Sequence, residues 1–136
     1  ILFEEKCLGK LIKNKFSIST IIDTDWRRKW KKKSNYMNDL EELKIKDSKI
    51  YSLGKKTFNL KNIDGRFLGI TKFSKRTVSD LKKNLISKIL RKNKNIDFTN
   101  FLMELIISNY KIKAIAGKFS WHEFDNPKDF RNFKKI

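Results

Sequence analysis

The sequence predicts an α/β fold in which helices lie between the strands of a mixed sheet. Segments with apolar residues at helical spacing alternate along the chain with short β-branched or alternating segments, as in α/β proteins. Apolar residues make up 39% of the 136 residues, which is enough for one hydrophobic core. No internal repeat or low-complexity linker divides the chain. Residues 1–136 are therefore expected to belong to a single domain.

The chain is predicted to begin with a helix followed by a strand. Residues 4–15 have acids at the start, lysines at the end and three apolar residues on one face: Leu8, Leu11 and Ile12. Cys7 lies on this helix and is interpreted as a small buried residue rather than a nucleophile. Residues 17–23 are rich in β-branched residues, which favours a strand.

A second, short helix is predicted over residues 25–33. Trp26 and Trp30 are four positions apart, so they share a helix face as core or interface aromatics. Asp23 and Asp25 flank the strand end in front of this helix. The spacing favours a solvated turn in which Asp25 caps the helix, with a ligand-binding pair as the alternative.

A β-hairpin is predicted next. The apolar residues of segment 40–45 precede a turn at residues 47–49, and a second strand follows over residues 50–53 and ends at residues 54–56. Residues 66–73 are apolar on both faces around Gly69. That pattern predicts a central strand covered on both sides, in which the glycine permits close approach of a ligand or another backbone.

The rest of the chain is predicted to contain two helices, a strand and a terminal helix. The first helix follows Thr77 as its cap and shows one apolar stripe: Val78, Leu81, Leu85, Ile86, Ile89 and Leu90. Thr99 is expected to cap the second, with four residues facing inward: Phe101, Leu102, Leu105 and Ile106. Residues 111–116 alternate like a strand, residues 121–125 form an extended piece, and Asn126 and Pro127 open the last helix.

The formal net charge is +18, from 33 Lys and Arg against 15 Asp and Glu. Such a charge suggests nucleic acid or an anionic membrane as a partner. However, 27 of the basic residues are Lys and they are scattered along most of the chain, so a solvated lysine surface is favoured. One Cys and one His exclude a disulfide scaffold, a cysteine-built zinc site and a multi-histidine centre. With no apolar run near ~20 residues and no visible signal peptide, the expected location is cytoplasmic, with no membrane partner.

The sharpest chemical pattern is Trp121 to Pro127, with the sequence WHEFDNP. On a strand, Glu123 and Asp125 project to one face, while the residues between them point the other way. Two carboxylates at a strand end suit Mg²⁺, which completes its shell with water and phosphate oxygens. The alternative is that Asp125 caps the following helix and Glu123 is solvated.

Lys55 and Lys56, beside Gly54 at a strand end, are weaker candidates for contacting a phosphate.

Seven stretches, taken in order, resemble the nucleotidyltransferase family that activates sugar phosphates, phosphocholine and aminoethylphosphonate, and in particular its phosphocholine-cytidylyltransferase-like branch. They are ILFEEKCLGKLI, IIDTDWRRKW, NDLEELKI, IYSLGKK, IDGRFLGITKFS, FTNFLMELI and WHEFDNPKDF. The last is the most specific. The resemblance implies a Rossmann-like α/β sandwich. It also implies a reaction that joins a nucleoside triphosphate, CTP in this branch, to a phosphorylated small molecule and releases pyrophosphate with the help of Mg²⁺.

The resemblance also implies roles for individual residues. Glu123 and Asp125 match the positions that hold Mg²⁺. Lys55 matches a catalytic lysine near the acceptor's phosphate, with Lys56 as the alternative shifted by one residue. Five further residues are expected to contact substrate: Gly69, Asp97, Thr99, Asn100 and Trp121. Asp23 and Trp26 match the family pattern without an assignable role.

Two features of the family are missing. The family's nucleotide-binding half has a Gly-rich loop followed by Arg and a Pro-Lys pair, and this sequence has none of them. A metal-binding Asp would directly precede Ile1. The chain is therefore expected to be the C-terminal, acceptor- and metal-binding part of such an enzyme, and to be inactive by itself. The alternatives are a lysine-rich nucleic-acid-binding module and a degenerate relative that serves as a regulatory or partner-binding subunit.

Overall fold

The computed structural model describes residues 1–30 and 40–124, together with Pro127 and Arg131. Its strands are β1 (Leu2–Phe3), β2 (Ile18–Asp23), β3 (Glu41–Lys46), β4 (Lys49–Lys56), β5 (Arg66–Phe73), β6 (Ile112–Gly117) and β7 (Trp121–His122). Its helices are α1 (Lys6–Lys13), α2 (Trp26–Trp30), α3 (Lys75–Asn84), α4 (Ile86–Lys92) and α5 (Phe98–Ile107), with a short 3₁₀ turn at Leu60–Asn62. The predicted terminal helix and the end of the predicted 25–33 helix lie outside the described residues, apart from Pro127 and Arg131.

The main sheet has five strands in the order β3-β4-β6-β2-β5. β2 runs parallel to β6 and antiparallel to β5, and β4 runs antiparallel to both β3 and β6. β1 and β7 form a separate two-stranded antiparallel ladder. The α/β class and the mixed sheet are thus confirmed, and the architecture is compatible with a Rossmann-like fold.

Helices cover both faces of the main sheet. One apolar cluster joins the sheet to α3, α4 and α5 through Leu81, Ile89 and Leu102. A second cluster on the opposite face includes Cys7 of α1 and Trp26 of α2. The prediction that Trp26 is a core residue is therefore confirmed, and so is the prediction that Cys7 is buried. Burial raises the pKa of the Cys7 thiol.

The prediction that residues 66–73 form the central strand is wrong, because β5 lies at the edge of the sheet. β2 occupies the doubly covered position, with Ile18 and Ile22 in one cluster and Ile21 in the other. β5 nevertheless packs Phe67 against one cluster and places Leu68 in the other, which explains its apolar sequence. A strand is apolar on both sides when helices cover both faces of the sheet. Its sequence does not show whether it has a neighbouring strand on one edge or on both.

The first helix is shorter than predicted, and its buried face is rotated. Cys7 and Leu11 are buried, whereas Leu8 is 42% exposed and Ile12 is 76% exposed. The stripe expected at Leu8, Leu11 and Ile12 is therefore wrong except at Leu11. Spacing identified the helix but not the side of it that meets the sheet.

Both predicted helix caps lie two or three residues too late. Ser74, not Thr77, caps α3 by accepting from the Thr77 amide at 3.2 Å. Asp97, not Thr99, caps α5. The long apolar stripe is also divided between α3 and α4 at Leu85, whose backbone leaves helical geometry.

The predicted hairpin is confirmed as β3 and β4. Asp47 and Ser48 both have positive φ, 50° and 59°, as a two-residue primed turn requires. Of the helices that the structure describes, none has the length and apolar character needed to cross a membrane.

Candidate active site

A pocket of about 470 Å³ is lined by residues of both edge strands of the main sheet, β3 and β5. Its walls come from the start of β3, the middle of β4, the first half of β5, the start of α5 and the residue after β7. Three predicted site residues line it: Gly69, Thr99 and Glu123. They are far apart in sequence, so the fold brings them together.

The pocket wall is acidic although the chain is strongly basic. Among the described lining residues, Glu41, Glu42 and Glu123 carry carboxylates and Arg66 carries a guanidinium. Arg66 Nη2 lies 3.6 Å from Glu123 Oε2, and the Ser52 hydroxyl donates to Glu42. The part of the pocket lining that the structure describes therefore offers carboxylate oxygens as well as one guanidinium to a bound molecule.

Aromatic rings form one side of the same pocket. Phe67 and Phe98 line it and stack with their ring centres 6.2 Å apart, and Phe101 stacks behind Phe98 at the same distance. The Phe98 side chain is 43% exposed, so part of its ring is open to a bound molecule. An aromatic face next to carboxylates is a surface on which an ammonium group binds well.

Gly69 lines the pocket with a φ of 73°. Within the described residues, no atom lies within 4 Å of the place where a Cβ would stand. The expected close approach of another backbone is therefore wrong for this part of the chain. The glycine instead permits an irregularity in the pairing of β5 with β2, and contact with a ligand stays a prediction.

Thr99 links the pocket to the end of β4. A Cβ at Gly54 would overlap the Thr99 methyl group, and Gly54 has a φ of 87°. The missing side chain at Gly54 thus allows α5 to pack closely on β4.

Lys55 and Lys56 lie at the exposed end of β4 and do not line the pocket. Lys56 is the cross-strand partner of Glu41, which does line it, and the Lys56 ammonium lies 5.8 Å from the centre of the Phe58 ring. Both lysines stand at the rim, and their predicted contact with a phosphate stays a prediction.

Asp97 and Asn100 bracket two pocket residues without lining the pocket themselves. Asp97 Oδ1 accepts from the Asn100 amide at 2.8 Å, and its Oδ2 accepts from Asn100 Nδ2 at 2.6 Å. The bond from the Asn100 backbone amide lowers the pKa of the Asp97 carboxyl. The pair fixes the start of α5 and thereby the positions of Phe98 and Thr99.

This lowered pKa predicts a pH-dependent contribution to stability. A depressed carboxyl pKa stabilises the folded state above the unfolded pKa of about 3.9, and this contribution disappears as the pH falls through the folded value. We expect Asp97→Asn, which keeps the cap but not the charge, to be less stable than the parent by about 0.5 kcal/mol at pH 7. Urea titrations should show this gap closing below about pH 4. Asp97→Ser is the control, since another neutral cap should behave like Asn; a gap unchanged down to pH 3 would contradict the assignment.

Trp121 does not line the pocket; it is buried, with 6% of its surface exposed. Its indole Nε1–H donates to Asp23 Oδ2 at 2.8 Å. Asp23 is fully buried, so the solvated-turn interpretation of this residue is wrong. Asp25 differs from it, because its carboxylate pairs with Arg28 at the surface, at 2.7 Å.

The predicted metal ligands are only partly described. Glu123 is half-buried in the pocket wall, whereas Asp125 lies outside the described residues. Within the described ranges, no three His, Cys, Asp or Glu side chains come together as ligands for one ion. Glu123 is of the right chemical type for Mg²⁺, since that ion needs only one or two carboxylates and takes its other ligands from water and phosphate.

Sequence reasoning missed several pocket residues. Arg66, Phe67 and Phe98 were treated only as parts of elements, and their side chains gave no local signal. Glu41 and Glu42 gave none either, because a second pair of adjacent acids, Glu4 and Glu5, lies outside the pocket lining.

Comparison with known proteins gives one informative match. The chain is 32% identical over 132 residues to CTP:phosphoglutamine cytidylyltransferase of Campylobacter jejuni, and the match covers 92% of this chain. It covers 52% of the relative, so the chain spans about half of that protein's length. No family model matches the chain, and neither does any solved structure. The match supports a cytidylyltransferase-like family.

Proposed function

We propose that the protein is part of a nucleotidyltransferase that couples a nucleoside triphosphate, CTP, to a small phosphorylated acceptor. An acceptor phosphate oxygen attacks the α-phosphorus of CTP in line. A new P–O bond forms there, the bond to the β-phosphate bridging oxygen breaks, and pyrophosphate leaves. Catalysis of this kind depends on positioning and on electrostatic stabilisation of the transferring phosphoryl group.

The observation that carries this proposal is the shared pocket of Gly69, Thr99 and Glu123. Each was selected by the sequence resemblance separately, from a different segment of the chain. The matched relative supports the proposal, since its name gives CTP and phosphoglutamine as its substrates.

The pocket chemistry favours an acceptor with a positively charged nitrogen. Phosphocholine and aminoethylphosphonate carry one, whereas a simple sugar phosphate does not. The ring of Phe98 and the carboxylates of Glu41 and Glu42 line the same cavity. A cationic group placed there gains both cation–π and charge interactions.

We place Mg²⁺ at Glu123 and Asp125, as part of the same proposal. When bound, the ion would offset charge on the triphosphate and help to orient it. Glu123, which Arg66 approaches at 3.6 Å, would hold the ion at the pocket wall. Lys55 at the rim would bind the acceptor's phosphate as a point charge.

The nucleotide-binding half would come from a further segment of polypeptide. The relative is about twice as long as the match, which supports this arrangement. Reading about 300 coding bases upstream of the Ile1 codon, a margin for one ordinary half-domain, would test it directly. An in-frame Gly-rich loop is expected there, and nucleotidyl transfer by the 136-residue chain alone would contradict the need for it.

Glu123→Gln is expected to lower Mg²⁺-dependent nucleotidyl transfer at least about 100-fold in the complete polypeptide, because it removes a carboxylate that neutralises the reacting phosphates. The measurement is pyrophosphate release from CTP with each candidate acceptor. Glu104→Gln is the matched control, since Glu104 faces Lys92 at the surface, 3.8 Å away. Equal rates in the parent and Glu123→Gln would rule out the metal assignment.

A second candidate, nucleic-acid binding, has one structural observation in its favour. Residues 75–94, which include α3 and α4, contain a single acid, Asp80, and eight exposed cations: Lys75, Arg76, Lys82, Lys83, Lys88, Arg91, Lys92 and Lys94. In the same set of experiments, binding to an oligonucleotide would weaken steeply with salt and would survive Glu123→Gln. The transferase is favoured because three residues that the resemblance selected separately, Gly69, Thr99 and Glu123, line one pocket, and none of the eight cations does.

A further inference from the structure

Asp23 is a fully buried carboxylate at the end of β2, and no role in the proposed reaction has been assigned to it. Its Oδ2 accepts from Trp121 Nε1 at 2.8 Å and from Lys29 Nζ at 2.7 Å. Its Oδ1 accepts from the backbone amides of Phe119 at 3.2 Å and Asp25 at 3.1 Å. Four donors use the full accepting capacity of an ionised carboxylate.

Two of these donors belong to the segment that carries Glu123. The main sheet ends at Gly117 in β6, and the chain then passes Phe119 and Trp121 before it reaches the pocket. On its outer side this segment is held by the two-residue ladder with β1 and by bonds between Glu4 and Ser120. On its inner side, Asp23 ties it to β2, an interior strand of the main sheet.

A second path also leads from Asp23 to Glu123. Asp23 is the cross-strand partner of Arg66 in β5, and it pairs with Gly117 in β6 on its other side. Arg66 in turn approaches Glu123 at 3.6 Å. Both the chain before Glu123 and the cation beside it therefore depend on the same end of β2.

The charge of Asp23 is balanced within this junction. Lys29 donates to Asp23 and to the Phe119 carbonyl, and its ammonium lies 5.9 Å from the Trp121 ring centre. Charge-assisted hydrogen bonds in a buried site are stronger and more directional than neutral ones. They suit a junction that must hold one geometry.

We propose that Asp23 is a positioning residue, which acts through Trp121 to set the place of Glu123 in the pocket. The proposal rests on the proposed function for the importance of Glu123. Asp23 itself touches neither the acceptor pocket nor any reacting group.

Two conservative variants test this. Asp23→Asn keeps the shape of the side chain but replaces one accepting oxygen with an amide donor. Trp121→Phe keeps an aromatic ring but removes the Nε1–H. Asp25→Asn is the matched control, since it alters a carboxylate two residues away that pairs with Arg28 at the surface.

In the complete polypeptide, each test variant should lower kcat by about 10- to 100-fold, as loss of a residue supporting a ligand usually does. The KM for the acceptor should change less than threefold. The double variant should be no slower than the slower single one, because both break the same connection. Asp25→Asn should keep the parent's rate. Full kcat in the folded Asp23→Asn variant, or an equal loss in Asp25→Asn, would overturn the proposal.

Nuclear magnetic resonance of the 136-residue chain separates this proposal from the proposed function. In Asp23→Asn, both the Trp121 indole N–H signal and the Glu123 amide signal should shift, while the signals of α5 stay in place. An unmoved Glu123 signal would overturn positioning whatever the activity. If the parent shows no transfer with any acceptor while the Glu123 signal does shift, the proposed function fails and the geometric link stands.

Discussion

Asp23→Ala is expected to lower the free energy of unfolding by about 3 kcal/mol, a large part of the stability of a domain of this size. The substitution leaves the Lys29 ammonium, the Trp121 indole N–H and the Phe119 amide without their shared acceptor. Removing one partner of a buried pair usually costs about 3–5 kcal/mol. We expect the lower end of that range because the Lys29 side chain is still 24% exposed.

Urea denaturation followed by tryptophan fluorescence measures this effect. Asp25→Ala is the control and should cost far less than Asp23→Ala, because its pair with Arg28 is at the surface. The double variant Asp23→Leu with Lys29→Met should recover part of the loss, since it leaves no buried charge without a partner. A cost below 1 kcal/mol for Asp23→Ala would show that the junction contributes little to stability.

Gly54→Ala is expected to destabilise the fold by about 2–5 kcal/mol for two separate reasons. The φ of 87° is strained for any residue with a Cβ, at a cost of about 1–2 kcal/mol. The new methyl group would also overlap the Thr99 methyl group, and overpacking costs about 1–3 kcal/mol. The substitution should therefore push the start of α5 away from β4, next to the pocket.

The two causes can be separated with Thr99→Ser, which removes the methyl group that would overlap. In that background Gly54→Ala should cost only the backbone part, about 1–2 kcal/mol. Gly9→Ala is the opposite control. Gly9 lies inside α1 with no described neighbour within 4 Å of a Cβ, so alanine there should raise stability by about 0.5–1 kcal/mol. An equal cost for Gly54→Ala with and without the Thr99 methyl would contradict the packing argument.

Local sequence patterns predicted the helices and strands more reliably than they predicted which strands lie side by side in the sheet. The hairpin turn at Asp47 and Ser48 was found because turn-forming residues separate two apolar segments. By contrast, the apolar sequence of β5 suggested a central strand, and β5 proved to be at the edge. An edge strand beneath helices on both faces has the same composition as a central one, so no local pattern could distinguish them.

For the candidate site, too, the sequence predicted individual residues but not the surfaces that they form together. Gly69, Thr99 and Glu123 were predicted separately and line one pocket, whereas Lys55 and Lys56 stand at its rim. These assignments came from motifs, which report residue types at a spacing. They could not reveal the acidic wall or the aromatic side, because those surfaces form only when β3, β5 and α5 meet.

By itself, the sequence determined the α/β class, most of the elements, the basic charge and the motifs that resemble nucleotidyltransferases. These properties depend on residue type and on spacing along the chain. Only the tertiary structure decided the strand order, the buried side of α1 and the role of Asp23. The reason is the distance along the chain: Asp23 receives hydrogen bonds from Phe119 and Trp121, nearly 100 residues away. The local sequence around Asp23 predicts a solvated carboxylate. Only the tertiary structure shows that distant donors bury it.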